Sequence, residues 1–328
     1  MKKYFIFVVF VISLGLILNS YLNSYIQAIF ISFMINAIMA LSLNFITGLA
    51  DQFSLGHAGL MAIGAYTSAI INTEFLNSDW TLIPVGVLGA GFVAAFAGYL
   101  ISLPSFRLKG DYLAIVTLGM SEIVRVVLLN WNHVGGPRGY STITKFPEFG
   151  YSYGFIVILL TITFMTMYRL KFSWFGRNLW AINEDDIAAE VMGLNVAKTK
   201  RRAFVISSFF AGIGGGFYAH HLGYISPGSF GFIISVQILI IAVLVGLGSL
   251  SGSVLAALIL TFLPEALRSL PTGSVDLRMI VYPILLILMM ILRPQGLFGR
   301  SEMSFKNLPF IHFIRSKCSA KYVARLTK

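Results

Sequence analysis

The 328-residue chain is 57% hydrophobic and only 11% charged, with a mean hydropathy of +0.83 and a formal net charge of +11 from 24 Lys+Arg against 13 Asp+Glu. Soluble domains carry about a quarter charged residues, so a soluble nucleic-acid binder of this charge is excluded, as are disorder, coiled coil and collagen. A single cysteine, Cys318, provides neither an internal disulfide nor a cysteine-based metal site. An integral membrane protein remains.

A helix that crosses a bilayer needs about 20 apolar residues. Ten apolar stretches answer to this, at 4–18, 26–46, 55–71, 81–103, 112–129, 151–168, 203–222, 233–249, 251–270 and 277–292. The fold class is therefore all-α, a polytopic transmembrane bundle of eight to ten spans, in which 55–71 and 112–129 are candidates for half-helices that enter and return. Residues 1–299 form the membrane domain and 300–328 a basic tail. The first stretch follows Lys2 and Lys3 but has no small-x-small cleavage site after it, which favours a retained signal-anchor helix over a cleaved signal peptide.

Polar groups interrupt the spans in turn. Asn36 lies at the middle of the second, Gln52, Ser54 and His57 cluster at the head of the third, and Gln237 sits early in the eighth. Such groups either bond across helices or line a hydrophilic path. In the fourth span, Gly86, Ala90, Ala94, Gly98 and Ser102 form a ridge of small residues at four-residue spacing. Ser208, Gly212 and Gly216 form a second, flanked by Ala211, Gly215 and Ala219, and Gly248, Gly252 and Ala256 form a third. Close packing in lipid relies on such rows, either within one chain or between subunits. In the fifth span Glu122 and Arg125 stand three apart on one helical face, where mutual pairing is the cheapest account and a proton relay through Glu122 the sharper one.

The longest connection, 170–202, contains a stretch read as one short helix over 183–193. Its first turn is acidic (Glu184, Asp185, Asp186), which suits the positive end of the helix dipole, and Gly193 stands where a left-handed cap is wanted. With Glu190 it carries four acids in seven residues, so anionic headgroups would repel it and docking to a cytoplasmic protein partner fits better.

Charge sets the orientation. With the N-terminus inside and all ten stretches crossing, nineteen of the 24 basic residues fall on the cytoplasmic side and four outside, with Arg125 in a span. Both termini are then cytoplasmic. The histidines (His57, His133, His220, His221, His312) have no metal-site spacing, and Gly212–Gly216 lacks the Gly-Lys-Ser/Thr of a phosphate loop. No cofactor or metal is expected. Any ATP used must be hydrolysed by another chain.

Five passages resemble the LivM-like permease subunit of ABC importers for branched-chain amino acids, whose relatives import urea or other small amides. They are Phe53–Tyr66 (FSLGHAGLMAIGAY), Gly110–Ile123 (GDYLAIVTLGMSEI), the loop Gly135–Gly139 (GGPRG), residues 176–219, and Arg293–Gly299 (RPQGLFG), in family order. The resemblance implies a second, homologous LivH-like permease subunit, two cytoplasmic ATP-binding subunits, an external substrate-binding protein, and a bacterial-type inner membrane. It also implies that Glu184, Asp185, Asp186, Ala188, Ala189 and Gly193 belong to a coupling helix for the ATPase. Ala188, Ala189 and Gly193 match the Ala-Ala-x-x-x-Gly of the importers' coupling motif, while Ile187 replaces its leading acid. Val245-Gly-Leu-Gly248 and Gly252-Ser253 depart from the family's usual residues, which loosens the inference of substrate but not of fold. The competing reading is an ion-coupled secondary transporter, for which Glu122 is the only well-placed mid-span carboxylate. An enzyme is excluded by the lack of a Gly-x-Ser-x-Gly, a paired aspartate or a metal triad.

Overall fold

The computed structural model describes residues 23–105 and 110–268; the stretches 4–18 and 277–292, the passage 293–299 and the tail 300–328 lie outside them. The described residues form helices α1 (Ser24–Ala50), α2 (His57–Ile70), α3 (Ile83–Ser105), α4 (Asp111–Asn130), α5 (Phe149–Phe172), α6 (Trp174–Glu184), α7 (Asp186–Val191), α8 (Val196–Leu222), α9 (Phe232–Val245) and α10 (Leu250–Arg268). One isolated antiparallel bridge, Tyr140 with Ile225, is the β-type pairing among the described residues. Six apolar segments are long enough to cross a membrane: α1, α3 with the turn before it, α4, α5, α8, and α9 with the turn before it. The described residues form a polytopic helical bundle of the kind that spans a membrane.

Two of the short stretches behave differently from each other. Helix α4 has 20 residues, about 30 Å at ~1.5 Å per residue, which is long enough for a full crossing rather than a half-helix. Helix α2 has 14 residues and runs on through a π-helical turn at Ile71–Phe75, and it is not among the segments long and apolar enough to cross. The chain reaches it by turning back at Asp51, whose φ of 50° is left-handed, and re-entering the bundle through 51–56. Helix α2 consequently begins at depth: Ser207 of α8 donates to the Ser42 carbonyl of α1 (2.6 Å) and lies 3.2 Å from His57 Nε2.

Helices α1 and α8 form the centre, each with 78% of its apolar window buried, whereas α4 has 22% and lies at the periphery. Helix α10 runs antiparallel to α1, in a register marked by Asn44 with Ser253, Asn36 with Thr261, and Tyr25 with Glu265. The small-residue rows meet inside the chain. Gly86, Ala90, Ala94, Gly98 and Ser102 are all buried. A methyl group at Gly98 would strike Ser208, one at Gly212 would strike Ala94 and the Ala90 carbonyl, and one at Gly216 would press on Ser68 and Ala90. These contacts join α2, α3 and α8 backbone to backbone, the geometry that small residues permit where lipid supplies no hydrophobic drive. At the other end from the α5–α8 connection, His220 pins the 139–148 loop to the bundle, with Nδ1 2.8 Å from the Thr144 carbonyl and Nε2 2.9 Å from Ser68 Oγ.

Candidate functional site

The connection between α5 and α8 is ordered by its own polar residues. Ser173 caps α6 by accepting from the Gly176 amide, and Leu179 and Ile182 bury the face of α6 that meets the bundle. The single helix expected over 183–193 is in fact two. Asp185 is extended (φ −157°, ψ 110°), and its carboxylate accepts from the amides of Ile187 (2.8 Å) and Ala188 (3.1 Å). An aspartate offers the backbone this alternative to continuing a helix, and it starts α7 by capping it. At the far end Gly193 (φ 86°) donates to the Glu190 carbonyl and Leu194 to the Ala189 carbonyl, the paired bonds of a Schellman stop.

The acids therefore do not share one face. Asp185 is taken up by the cap, Asp186 lies 2.9 Å from Lys200 Nζ at the base of α8, and Glu184 and Glu190 are exposed. Ala189 is buried and Ala188 exposed. Beside the exposed Glu190, three large apolar residues stand out: Ile187, Val191 and Met192 are 71%, 82% and 82% exposed. Ile187 and Val191, four residues apart, share one side of α7, and Met192 follows at its C-terminal cap.

Beneath this segment lies a crossing of α1 with the break between α9 and α10. Gly246 (φ 121°) and Gly248 (φ 92°) turn the chain through conformations that side chains resist. Asn44 of α1 satisfies the turn: its Nδ2 donates to the Ser249 carbonyl (3.0 Å) and Ser253 Oγ (2.6 Å), with Gly246 O at 3.4 Å, and its Oδ1 accepts from the Gly248 amide (2.7 Å). One turn along α1, Gly48 touches Gly248 so closely that a methyl group there would collide with the Gly248 backbone. The two carbonyls of this crossing are claimed from the connection side. Lys171 Nζ, at the end of α5 and buried, donates to Gly248 O (2.6 Å), and Asn183 Nδ2 of α6 donates to Gly48 O (3.1 Å). An open cleft of ≈ 230 Å³ runs beside it, bounded by Gly48, Trp180, Asn183, Glu184 and Gly248.

Sequence reasoning missed Asn44, Lys171 and Asn183. The available signal was the Gly-Leu-Gly at the end of the eighth stretch and the polar Asn44 one turn before Gly48; Lys171 stood out only as one of several basic loop residues.

The polar span residues do not converge on one point. Asn36 bonds Thr261 across helices (3.0 Å), and Gln237 is half-buried on α9. Gln52, Ser54 and His57 are buried where the chain re-enters; Ser54 accepts from the Gly56 amide, while both amide atoms of Gln52 and Nδ1 of His57 have no partner among the described residues. On α4, Arg125 Nε donates to Glu122 at 2.7 Å, with both side chains about one-third exposed. No group of three or more His, Cys, Asp or Glu among the described residues could hold a metal.

Comparison with known proteins places this architecture. The family model described as "Branched-chain amino acid transport system / permease component" matches residues 25–290. The chain is 38% identical to the high-affinity branched-chain amino acid transport system permease protein LivM of Escherichia coli (strain K12), covering 84% of this chain and 70% of that protein. It is 27% identical to LivH of the same organism, covering 81% of this chain and 92% of that protein. A probable LivM of Methanocaldococcus jannaschii is 30% identical over 51% of each chain. No solved structure matches. With a family model spanning most of the chain and a LivM relative at this identity, the chain belongs to the branched-chain amino acid transport system permease components.

Proposed function

We propose that this permease subunit of an ABC importer forms half of a translocation path for branched-chain amino acids, the other half coming from a homologous LivH-like subunit. Separate ATP-binding subunits energise it from the cytoplasm, and an external binding protein delivers substrate. The α5–α8 connection then faces the cytoplasm, with both termini on the same side, a sidedness that the distribution of basic residues supports. The observation that carries the reading is α7, a helix capped at both ends that holds Ile187, Val191 and Met192 out in water, where an apolar cluster has no use except against a partner. Helix α4 supports the second half of the proposal. A charge pair about one-third exposed midway along a span is costly against lipid, and a companion subunit or an aqueous path removes that cost. The unpartnered Gln52 and His57 atoms in the re-entrant segment suit a hydrated interior. Glu122 is engaged by Arg125, which argues against an ion-coupled carrier working through that carboxylate.

The test is reconstitution in liposomes of the chain alone and with co-expressed LivH-like and ATP-binding subunits plus binding protein. ATP-dependent uptake of labelled leucine by the full set alone is expected. Uptake driven by an ion gradient through the isolated chain sinks the subunit reading, and ATP-dependent uptake of urea in place of leucine overturns the substrate.

A further inference from the structure

We propose that Lys171 and Asn183 are positioning residues for transport, clamping the Gly48–Gly248 crossing so that a displacement of α6–α7 is delivered to the α9–α10 break. The inference rests on the reading of α7 as the element that docks on an ATP-binding subunit. Each link is a contact on the structure. Helix α7 is joined to α6 through the extended Asp185, and Asn183 sits two residues before that joint. Asn183 holds the carbonyl of Gly48, and Lys171, two residues before the α6 cap Ser173, holds the carbonyl of Gly248. These carbonyls belong to the two glycines whose backbones touch, so neither can move without the other. The next layer is Asn44, which ties α1 to Gly246, Gly248, Ser249 and Ser253.

The chemistry suits a movable joint rather than a permanent weld. The break is held by hydrogen bonds and has glycines at positive φ. Glycines at such angles accept large backbone changes, and packed helices on either side have discrete arrangements between which a joint can switch. Lys171 is also a costly choice for a merely structural contact. Its side chain is buried, and its Nζ lies 5.6 Å from the centre of the Phe172 ring and 6.0 Å from that of the Trp180 ring, so it follows α6 as well as Gly248. The other direct route from α7 to the bundle, Lys200 with Asp186, ends at the base of α8 and does not reach the break.

The experiment uses the assembled importer in liposomes and reads leucine imported per ATP hydrolysed, alongside recovery of the complex. Lys171→Met and Asn183→Leu keep the apolar bulk and remove the donors. The expected result is a complex recovered at wild-type yield, with ATP hydrolysis retained and import per ATP down by about tenfold or more, within the range of ordinary coupling between sites. Lys171→Arg and Asn183→Gln restore part of the ratio. A structural contact alone would lower yield, hydrolysis and import together and leave the ratio unchanged. A wild-type ratio in both donor-less variants overturns the proposal, and so does failure of all four variants to assemble, which would make the crossing a folding element. Ile187→Asp with Val191→Asp separates the two readings: if these still recruit ATP-binding subunits, the docking reading falls, whereas lost recruitment beside an unchanged ratio in the Lys171 and Asn183 variants removes the clamp alone.

Discussion

Replacing Gly64 by alanine adds one methyl group, and the structure says where it goes. The new Cβ would overlap the carbonyl oxygen of Gly212 and stand 2.5 Å from its Cα. Carbon atoms in good contact are about 3.5–4.0 Å apart, so α2 and α8 must part by ~1 Å or more. Both obstructions are backbone, and no side chain can rotate away. Gly212 is itself backed by Ala94 and the Ala90 carbonyl, so α8 cannot retreat toward α3 without meeting a second wall. Parting helices by such a gap forfeits about a quarter to a half of each contact's attraction along the seam, including Gly215 on Met61 and Gly216 on Ser68. The top of the overpacking range, about 3 kcal/mol, is the expected loss. The same substitution at Gly119 or Gly154 meets no atom within 4 Å, and there alanine's helix preference predicts a change of no more than about 1 kcal/mol in the favourable direction. Denaturing-detergent titration of the three purified variants, followed by far-UV circular dichroism, measures the contrast. Equal midpoints for Gly64→Ala and Gly119→Ala would refute the idea that α2, α3 and α8 meet backbone to backbone.

Two further predictions concern the ends of the molecule's function. Asp185→Ala removes an acceptor shared by two amides and is expected to destabilise α7 by about 1 kcal/mol, and Gly193→Ala, which strains a left-handed stop with no steric obstacle, by about 1–2 kcal/mol. Hydrogen exchange at the amides of 187–194 should quicken in both while the exchange of α8 stays unchanged; unaltered protection in α7 would show that the caps do not hold it. Glu122→Gln leaves Arg125, about one-third exposed, without its carboxylate, so import by the full complex should fall several-fold with assembly intact, and Glu122→Gln combined with Arg125→Met should recover part of it. Equal import by all three would place the pair outside the path.

Periodicity and composition carried the architecture because lipid imposes its rules on whole segments: a run such as 203–222 is apolar for its full length, and its small residues repeat where another helix must approach. Length alone misjudged 112–129. Its apolar run is short, but Asp111 and Asn130 complete a crossing helix, because residues at bilayer ends need not be apolar. The acidic segment 183–193 was misread for a local reason. Aspartate at 185 has a choice between joining a helix and capping one, and the choice is made by Leu179 and Ile182, whose burial fixes where α6 lies and hence where the chain must turn. The crossing at Gly48 was out of reach for a different reason. Asn44 and Ser249 are separated by 205 residues, and Lys171 and Gly248 by 77. Nothing in the local pattern of either partner encodes the other. A glycine pair in an apolar run reads as a packing surface, and a lysine at the end of a span reads as a charge that marks sidedness. Only when α1, α5, α6 and the α9–α10 break are brought to the same end does the lysine become a donor aimed at a carbonyl, and the glycines a place where the backbone can turn. On the proposed clamp, sidedness and coupling share one residue: Lys171 belongs with the basic residues from which the orientation is read, yet it lies at 4% exposure. A lysine that served only to mark sidedness could stay in water, and the bond it donates to the Gly248 carbonyl is the feature that Lys171→Met removes.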